Sequence, residues 1–89
     1  MTEENTEIME FPCEFQIKIM GEDTEEFHLT IREIVVRHAP EVTDESFASR
    51  QSSKGRYVSI TATVNAQSRE HLDNLYREIT SCHLVKWAI

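Results

Sequence analysis

Two cysteines in 89 residues are too few for a disulfide framework, and such sparing use fits a reducing compartment. The cytoplasm is therefore the expected location. No apolar run approaches the roughly 20 residues that a membrane-crossing helix needs. The first residues, Met1-Thr2-Glu3-Glu4-Asn5-Thr6-Glu7, are the acidic opposite of a secretory signal. Basic residues are also short. Nine Lys and Arg against 16 Asp and Glu leave a formal charge of -7, which argues against nucleic acid or an anionic membrane as a partner. Glu3, Glu4, Glu7 and Glu10 all precede the first Lys or Arg, and without these four the charge is -3. With only two glycines and two prolines, the chain shows no linker and no internal repeat. It reads as one small domain with a modest core.

Residues 1–10 carry too little apolar surface to offset ordering and are expected to be a disordered acidic tail, with a single domain over 11–89. Pro12 suits the entrance of a first strand, in which Phe15, Ile17 and Ile19 alternate with Glu14, Gln16 and Lys18. Gly21-Glu22-Asp23 is expected to break it. A helix follows, with Asp23 as its cap and Glu26 completing a capping box. Phe27, Ile31, Ile34 and Val35 share its core face, Arg37 and His38 suit its last turn, and Pro40 stops it. Leu29 and Val36 point together on the opposite side, where Ile8, Met9 or Phe11 from the tail, a partner or solvent would meet them.

The strongest strand signal runs from Tyr57 to Val64. Val58, Ile60, Ala62 and Val64 alternate with Tyr57, Ser59, Thr61 and Thr63. A weaker strand, Phe47 to Gln51, pairs with it through the turn Ser52-Ser53-Lys54-Gly55, where Gly55 can take a positive φ. Ser68 is the expected cap of a second helix with the stripe Leu72, Leu75, Tyr76 and Ile79. A last strand, Leu84 to Ile89, presents Val85, Trp87 and Ile89 inward. Short connections and right-handed crossovers turn this order into an α+β, ferredoxin-like βαββαβ sandwich. Its antiparallel sheet has the order 4-1-3-2, with both helices on one face. The open face would carry Glu14, Gln16, Lys18, Tyr57, Ser59, Thr61, Thr63 and Lys86.

Several segments resemble one family across nearly the whole chain after the tail. They are Glu10-Phe11-Pro12, Lys18-Ile19-Met20-Gly21, Arg37-His38-Ala39-Pro40, Ser52-Ser53-Lys54-Gly55 with Tyr57 and Ser59, Asn65-Ala66, and Leu75-Tyr76. Together they resemble the YbeD-like small bacterial proteins of unknown function. The resemblance implies the same fold, similar to ACT-type regulatory domains that bind small metabolites, and a suggested link to lipoate metabolism. It supplies no catalytic residues.

The residues themselves offer little chemistry. Cys13, His28, His38, His71, Cys82 and His83 show no spacing that gathers ligands around a metal ion, and no cofactor is expected. Cys13 and Cys82 open antiparallel neighbours at opposite ends of the sheet, on the order of 20 Å apart, so two free thiols are expected. The Gly21-Glu22-Asp23 loop would repel phosphate, which excludes acylphosphatase-type chemistry. Only Tyr57 offers an exposed sheet aromatic, which excludes an RNA-recognition surface. The chain is therefore expected not to be an enzyme.

Two functions remain. One is a regulatory or protein-interaction module that adjusts a metabolic enzyme. The other is an ACT-like sensor with a small ligand near the Gly21 loop, working as a dimer. A monomer or weak homodimer with a protein partner is expected. From Phe47 to Ser68 there is no Asp or Glu. Arg50, Lys54 and Arg56 cluster there with Ser52, Ser53 and the Gly55 amide, and form the candidate contact for an acidic partner or a small anion. The plainer reading is that these cations guard a strand edge.

Overall fold

The computed structural model describes residues 10–89, so the tail expected over 1–10 lies outside the described residues except for Glu10. The elements follow in the expected order: β1 (Cys13–Glu22), α1 (Glu25–His38), β2 (Phe47–Gln51), β3 (Tyr57–Ala66), α2 (Arg69–Ser81) and β4 (Val85–Ala88). A short 3-10 turn, Asp44–Ser46, precedes β2. The sheet is antiparallel in the order β2-β3-β1-β4, which is 4-1-3-2 read from the other edge. The fold is ferredoxin-like, with one core between the sheet and the two helices.

Alternation puts one side of each central strand in that core. Ile17 and Ile19 of β1, and Val58, Ile60, Ala62, Val64 and Ala66 of β3, are buried. They meet Phe27, Ile31, Ile34 and Val35 of α1 and Leu72, Leu75 and Ile79 of α2. Ser68 caps α2 by accepting from the His71 amide at 3.0 Å. Leu29 and Val36 remain exposed, and Phe11 packs against the core instead of reaching them. Ile8 and Met9 lie outside the described residues. Cys13 and Cys82 are both free thiols.

Three details differ from the sequence-based expectation. The first is that β1 does not break at Gly21 but runs through Glu22, and Gly21 is buried within it. A Cβ there would sit 2.5 Å from the Phe27 ring and 2.6 Å from the Leu84 carbonyl oxygen, so a residue without a side chain lets helix, strand and connection close together. The second is the cap of α1, which is Thr24 and not Asp23. Thr24 Oγ1 accepts from the Phe27 amide at 3.1 Å. Asp23 instead accepts from His28 at 2.8 Å and from the Gln51 side chain, while its own amide donates to the Arg56 carbonyl at 2.9 Å. It thereby ties both strands of the hairpin to the start of α1.

The third difference is in β4. The register passes from Met20↔Trp87 to Gly21↔Val85, so Lys86 is an extra residue on the β4 side. A one-residue bulge inverts the phase of everything beyond it. Val85 and Ala88 therefore pack against the core, while Trp87 and Ile89 are 42% and 67% exposed. The expected inward row of Val85, Trp87 and Ile89 is corrected to Val85 alone.

The two helices are held together by a polar clamp. Glu78 of α2 accepts from Arg37, at 3.0 Å for one of its two contacts, and bonds His38 at 2.7 Å. His71 accepts a hydrogen bond from the Gln67 amide on Nδ1 and donates one through Nε2 to the His38 carbonyl. The hydrogen-bond pattern therefore requires neutral His71 with its proton on Nε2. The free carbonyl at the end of α1 is thus satisfied from α2, where sequence reasoning assigned only a dipole role to His38.

Two expectations follow. Gly21→Ala should destabilise the domain by about 1–3 kcal/mol, the usual range for overpacking, measured by urea unfolding. The Arg37 and then the His38 hydrogen bonds pull Glu78 from its ordinary 4.5 down to about 2. A carboxylate held lower in the folded state stabilises it above its unfolded value, and that contribution is lost as pH falls through the folded one. Thermal stability should therefore drop between about pH 4.5 and pH 2, and less steeply for Glu78→Gln.

Candidate functional site

The hairpin between β2 and β3 forms as its residues dictate. The Gly55 amide donates to the Ser52 carbonyl at 2.9 Å, and Gly55 has φ +74°, the left-handed conformation that favours glycine. The Ser52 amide donates to the Tyr57 carbonyl at 2.8 Å, and Ser52 Oγ accepts from the Tyr57 amide at 3.2 Å. One of the donors expected to hold an anion, the Gly55 amide, is thus engaged inside the turn, and Ser52 Oγ is tied there as an acceptor. Ser53, Lys54 and Arg56 are exposed at the tip. Arg56 lies 5.6 Å over the Tyr57 ring and 3.9 Å from Glu22, a partly compensated charge.

Arg50 belongs to a different surface. Its pairing partner is Ser59, and its side chain faces the side of the sheet away from the helices. Register places Arg50, Ser59, Met20 and Trp87 in one row across the four strands. The next row is Ala48, Thr61, Lys18 and Ile89, the last two joined by backbone bonds of 2.8 and 2.9 Å. Lys18, Arg50, Ser59 and Thr61 line a shallow depression of about 430 Å³ together with Ala48 and Ser49, with no carboxylate among them. Glu14 and Glu22 stand toward the two ends of β1 on the same face.

This face differs from its expected composition at the β4 side. Lys86 was assigned to it by alternation, and the bulge replaces it with Trp87 and Ile89. Trp87 lies opposite Met20, so an apolar cluster adjoins the cationic depression. A bulge leaves no signature in a six-residue pattern, and the sequence offered no signal for it.

Gly21 is not a loop residue, and its surroundings are packed. The nearest open space is a depression of about 320 Å³ beside the start of α1, which includes Glu22, Thr24, Glu26, His83 and Lys86. The structure does not bring Gly21 together with the hairpin tip into one site, although Asp23 connects the two regions. Asp23 is itself held below the usual carboxylate range by the Gln51 and then the His28 hydrogen bonds. Among the described residues, no group of three or more His, Cys, Asp or Glu side chains converges to hold a metal ion. No helix there is long and apolar enough to cross a membrane.

Known proteins match the chain over essentially its full length. A UPF0250 protein of Chromobacterium violaceum is 45% identical over 89 residues, covering all of both chains. One from Neisseria gonorrhoeae is 43% identical, covering 94% of this chain and 92% of the relative. One from Paraburkholderia phytofirmans is 44% identical and covers 97% of each. Residues 6–89 match the family described as protein of unknown function, DUF493. The chain belongs to that family, the one to which its YbeD-like segments pointed.

Proposed function

We propose that this chain is a non-catalytic regulatory module that works in the cytoplasm by binding another protein through the open face of its sheet. The observation that carries this reading is the Met20–Trp87 pair on a face that no helix covers among the described residues, beside Lys18 and Arg50. Tryptophan and arginine are the residues most often found to anchor protein contacts. The exposed Lys54 and Arg56 at the hairpin tip extend the basic character of the face and favour an acidic partner surface. The helix-side histidines support a non-enzymatic role, since His28, His38 and His71 all make bonds that hold elements together. The link to lipoate metabolism that the resemblance implies makes enzymes of that metabolism the first partners to try.

A second reading, an ACT-like dimeric sensor, is favoured by the depression at the start of α1. Glu22 and Glu26 could receive a ligand ammonium, and Lys86 its carboxylate. A thermal-shift screen with amino acids separates the two, because only a sensor gains stability with ligand by mass action.

The chain's single tryptophan makes the main reading measurable. Titration with a partner recovered on N-terminally tagged protein should shift Trp87 emission to the blue. Trp87→Ala should weaken binding by about tenfold or more, the effect of losing a central anchor. Lys54→Ala with Arg56→Ala should weaken it several-fold and lower its salt sensitivity. Both variants should melt close to the parent, as exposed substitutions cost about 0.5 kcal/mol or less. Unchanged emission and affinity would remove the open face from consideration.

A further inference from the structure

The two edges of the sheet are built differently. β4 is four residues long and carries the Lys86 bulge, two devices that discourage pairing with another strand. β2 has neither a bulge nor a proline, and its register with β3 is regular from Phe47↔Ala62 to Gln51↔Val58. Among the described residues nothing pairs with its outer side.

The direction of its backbone groups follows from the hairpin. Ser52 turns its amide toward β3. Alternation along an antiparallel strand then turns Arg50 and Ala48 inward and sends the N–H and C=O of Ser49 and Gln51 outward. The Phe47 amide is already satisfied by the Asp44 carbonyl. Ser49 and Gln51 thus offer two donors and two acceptors along a straight edge.

Beside this edge, on the helix side, lies a groove of about 160 Å³ between β2 and α1. Buried Ile31 and Ile60 and half-buried Phe47 give it an apolar floor, and His28, Arg32 and Ser49 form its rim. Arg32 lies 4.6 Å over the Phe47 ring and bonds Asp44 at 2.7 Å, so its guanidinium closes one end. On the other side of the edge stands Arg50, whose strand neighbours Ala48, Ser52, Ser59, Tyr57 and Thr61 include no carboxylate. Asp44 and Glu45 precede β2 at its far end, whereas Lys54 follows it at the hairpin.

We infer that the β2 edge is a strand-addition site for an extended segment of a partner protein in which apolar and acidic residues alternate. The backbone of that segment would bond Ser49 and Gln51. Its apolar side chains would enter the groove over Ile31 and Ile60, and its acidic ones would lie on the open face beside Arg50. Period two makes these demands compatible, because neighbouring residues of one strand must face opposite sides. This site uses the backbone edge and the helix side of β2 and shares Arg50 alone with the open-face reading, so Ser49→Pro and the N-methylated peptide test it apart from the Trp87 face.

The test uses a fluorescein-labelled peptide of about seven residues with blocked ends, alternating valine and glutamate, long enough to span a five-residue edge. Fluorescence anisotropy with the full chain should show saturable binding. A peptide of the same sequence with N-methylated backbone amides should bind about tenfold more weakly or worse, the loss expected for about two hydrogen bonds. Ser49→Pro removes an amide that the β2–β3 ladder does not use, so the circular dichroism spectrum should be retained while affinity falls about tenfold. Arg50→Glu should weaken binding several-fold and flatten its salt dependence. No binding by the parent protein, or equal binding of the two peptides, overturns the proposal. Equal affinity of a folded Ser49→Pro variant also overturns it. So does a dimer of the parent that Ser49→Pro dissociates, because the edge would then belong to a second copy of this chain.

Discussion

The ladder between β1 and β3 is the constraint on which the remainder of the molecule depends. It pairs ten residues on each strand without a shift, from Cys13↔Ala66 to Glu22↔Tyr57. A regular ladder of this length commits both strands to one phase, since a slip of one residue would turn every buried side chain outward. Its inner side, from Ile17 and Ile19 to Val58 and Ala66, is the floor of the core. At roughly 25 cal/mol per Å² of buried apolar surface, that floor and the two helix stripes on it supply the main driving force for folding. The outer side is released from packing, and only there can polar side chains such as Ser59 and Thr61 stand in a row without unmet hydrogen bonds.

Helices laid on such a floor must also be fixed in position along it, and polar contacts do this. His28 joins α1 to the hairpin through Asp23, His38 joins it to α2 through Glu78, and His71 satisfies the last carbonyl of α1 from α2. Each contact is between groups distant in the chain or at an element's end, and no buried polar side-chain atom among the described residues is left without a partner. Such bonds add modest net stability, but they discriminate against rotated helix packings that would strand a buried group.

The sequence made most of this visible, and the reasons for the remainder are specific. Period two in Tyr57 to Val64 and helical spacing in Phe27, Ile31, Ile34 and Val35 are repeated signals, and the core follows from them. The caps were harder. Asp23 and Thr24 are both good capping residues, and the choice fell to Thr24 because Asp23 is recruited by Gln51, some 28 positions away. Gly21 looked like punctuation because a glycine that ends a strand and one that lets a ring approach are the same letter. In the candidate site, the charges of Arg50, Lys54 and Arg56 were legible, while the engagement of Ser52 and Gly55 within the turn was a matter of geometry. Lys18 and Trp87 joined the site only through register.

The Lys86 bulge connects these points to the proposed function. Without it, the alternation of Val85, Trp87 and Ile89 would send all three inward, and the β4 side of the open face would be polar. Space under β4 also argues for the inversion: Leu84 and Val85 already pack beside Gly21 and Phe27, and beyond them small Ala88, paired with Ile19, takes the inward position. An indole in that place would need room that the closely packed strand and helix do not leave. The bulge therefore relieves the interior, shields one edge of the sheet from pairing and moves the only tryptophan to the surface. One inserted residue thus gives the open face its apolar corner and closes the β4 edge, so of the two edges it is β2, regular in its own register with β3, that stays open to pairing.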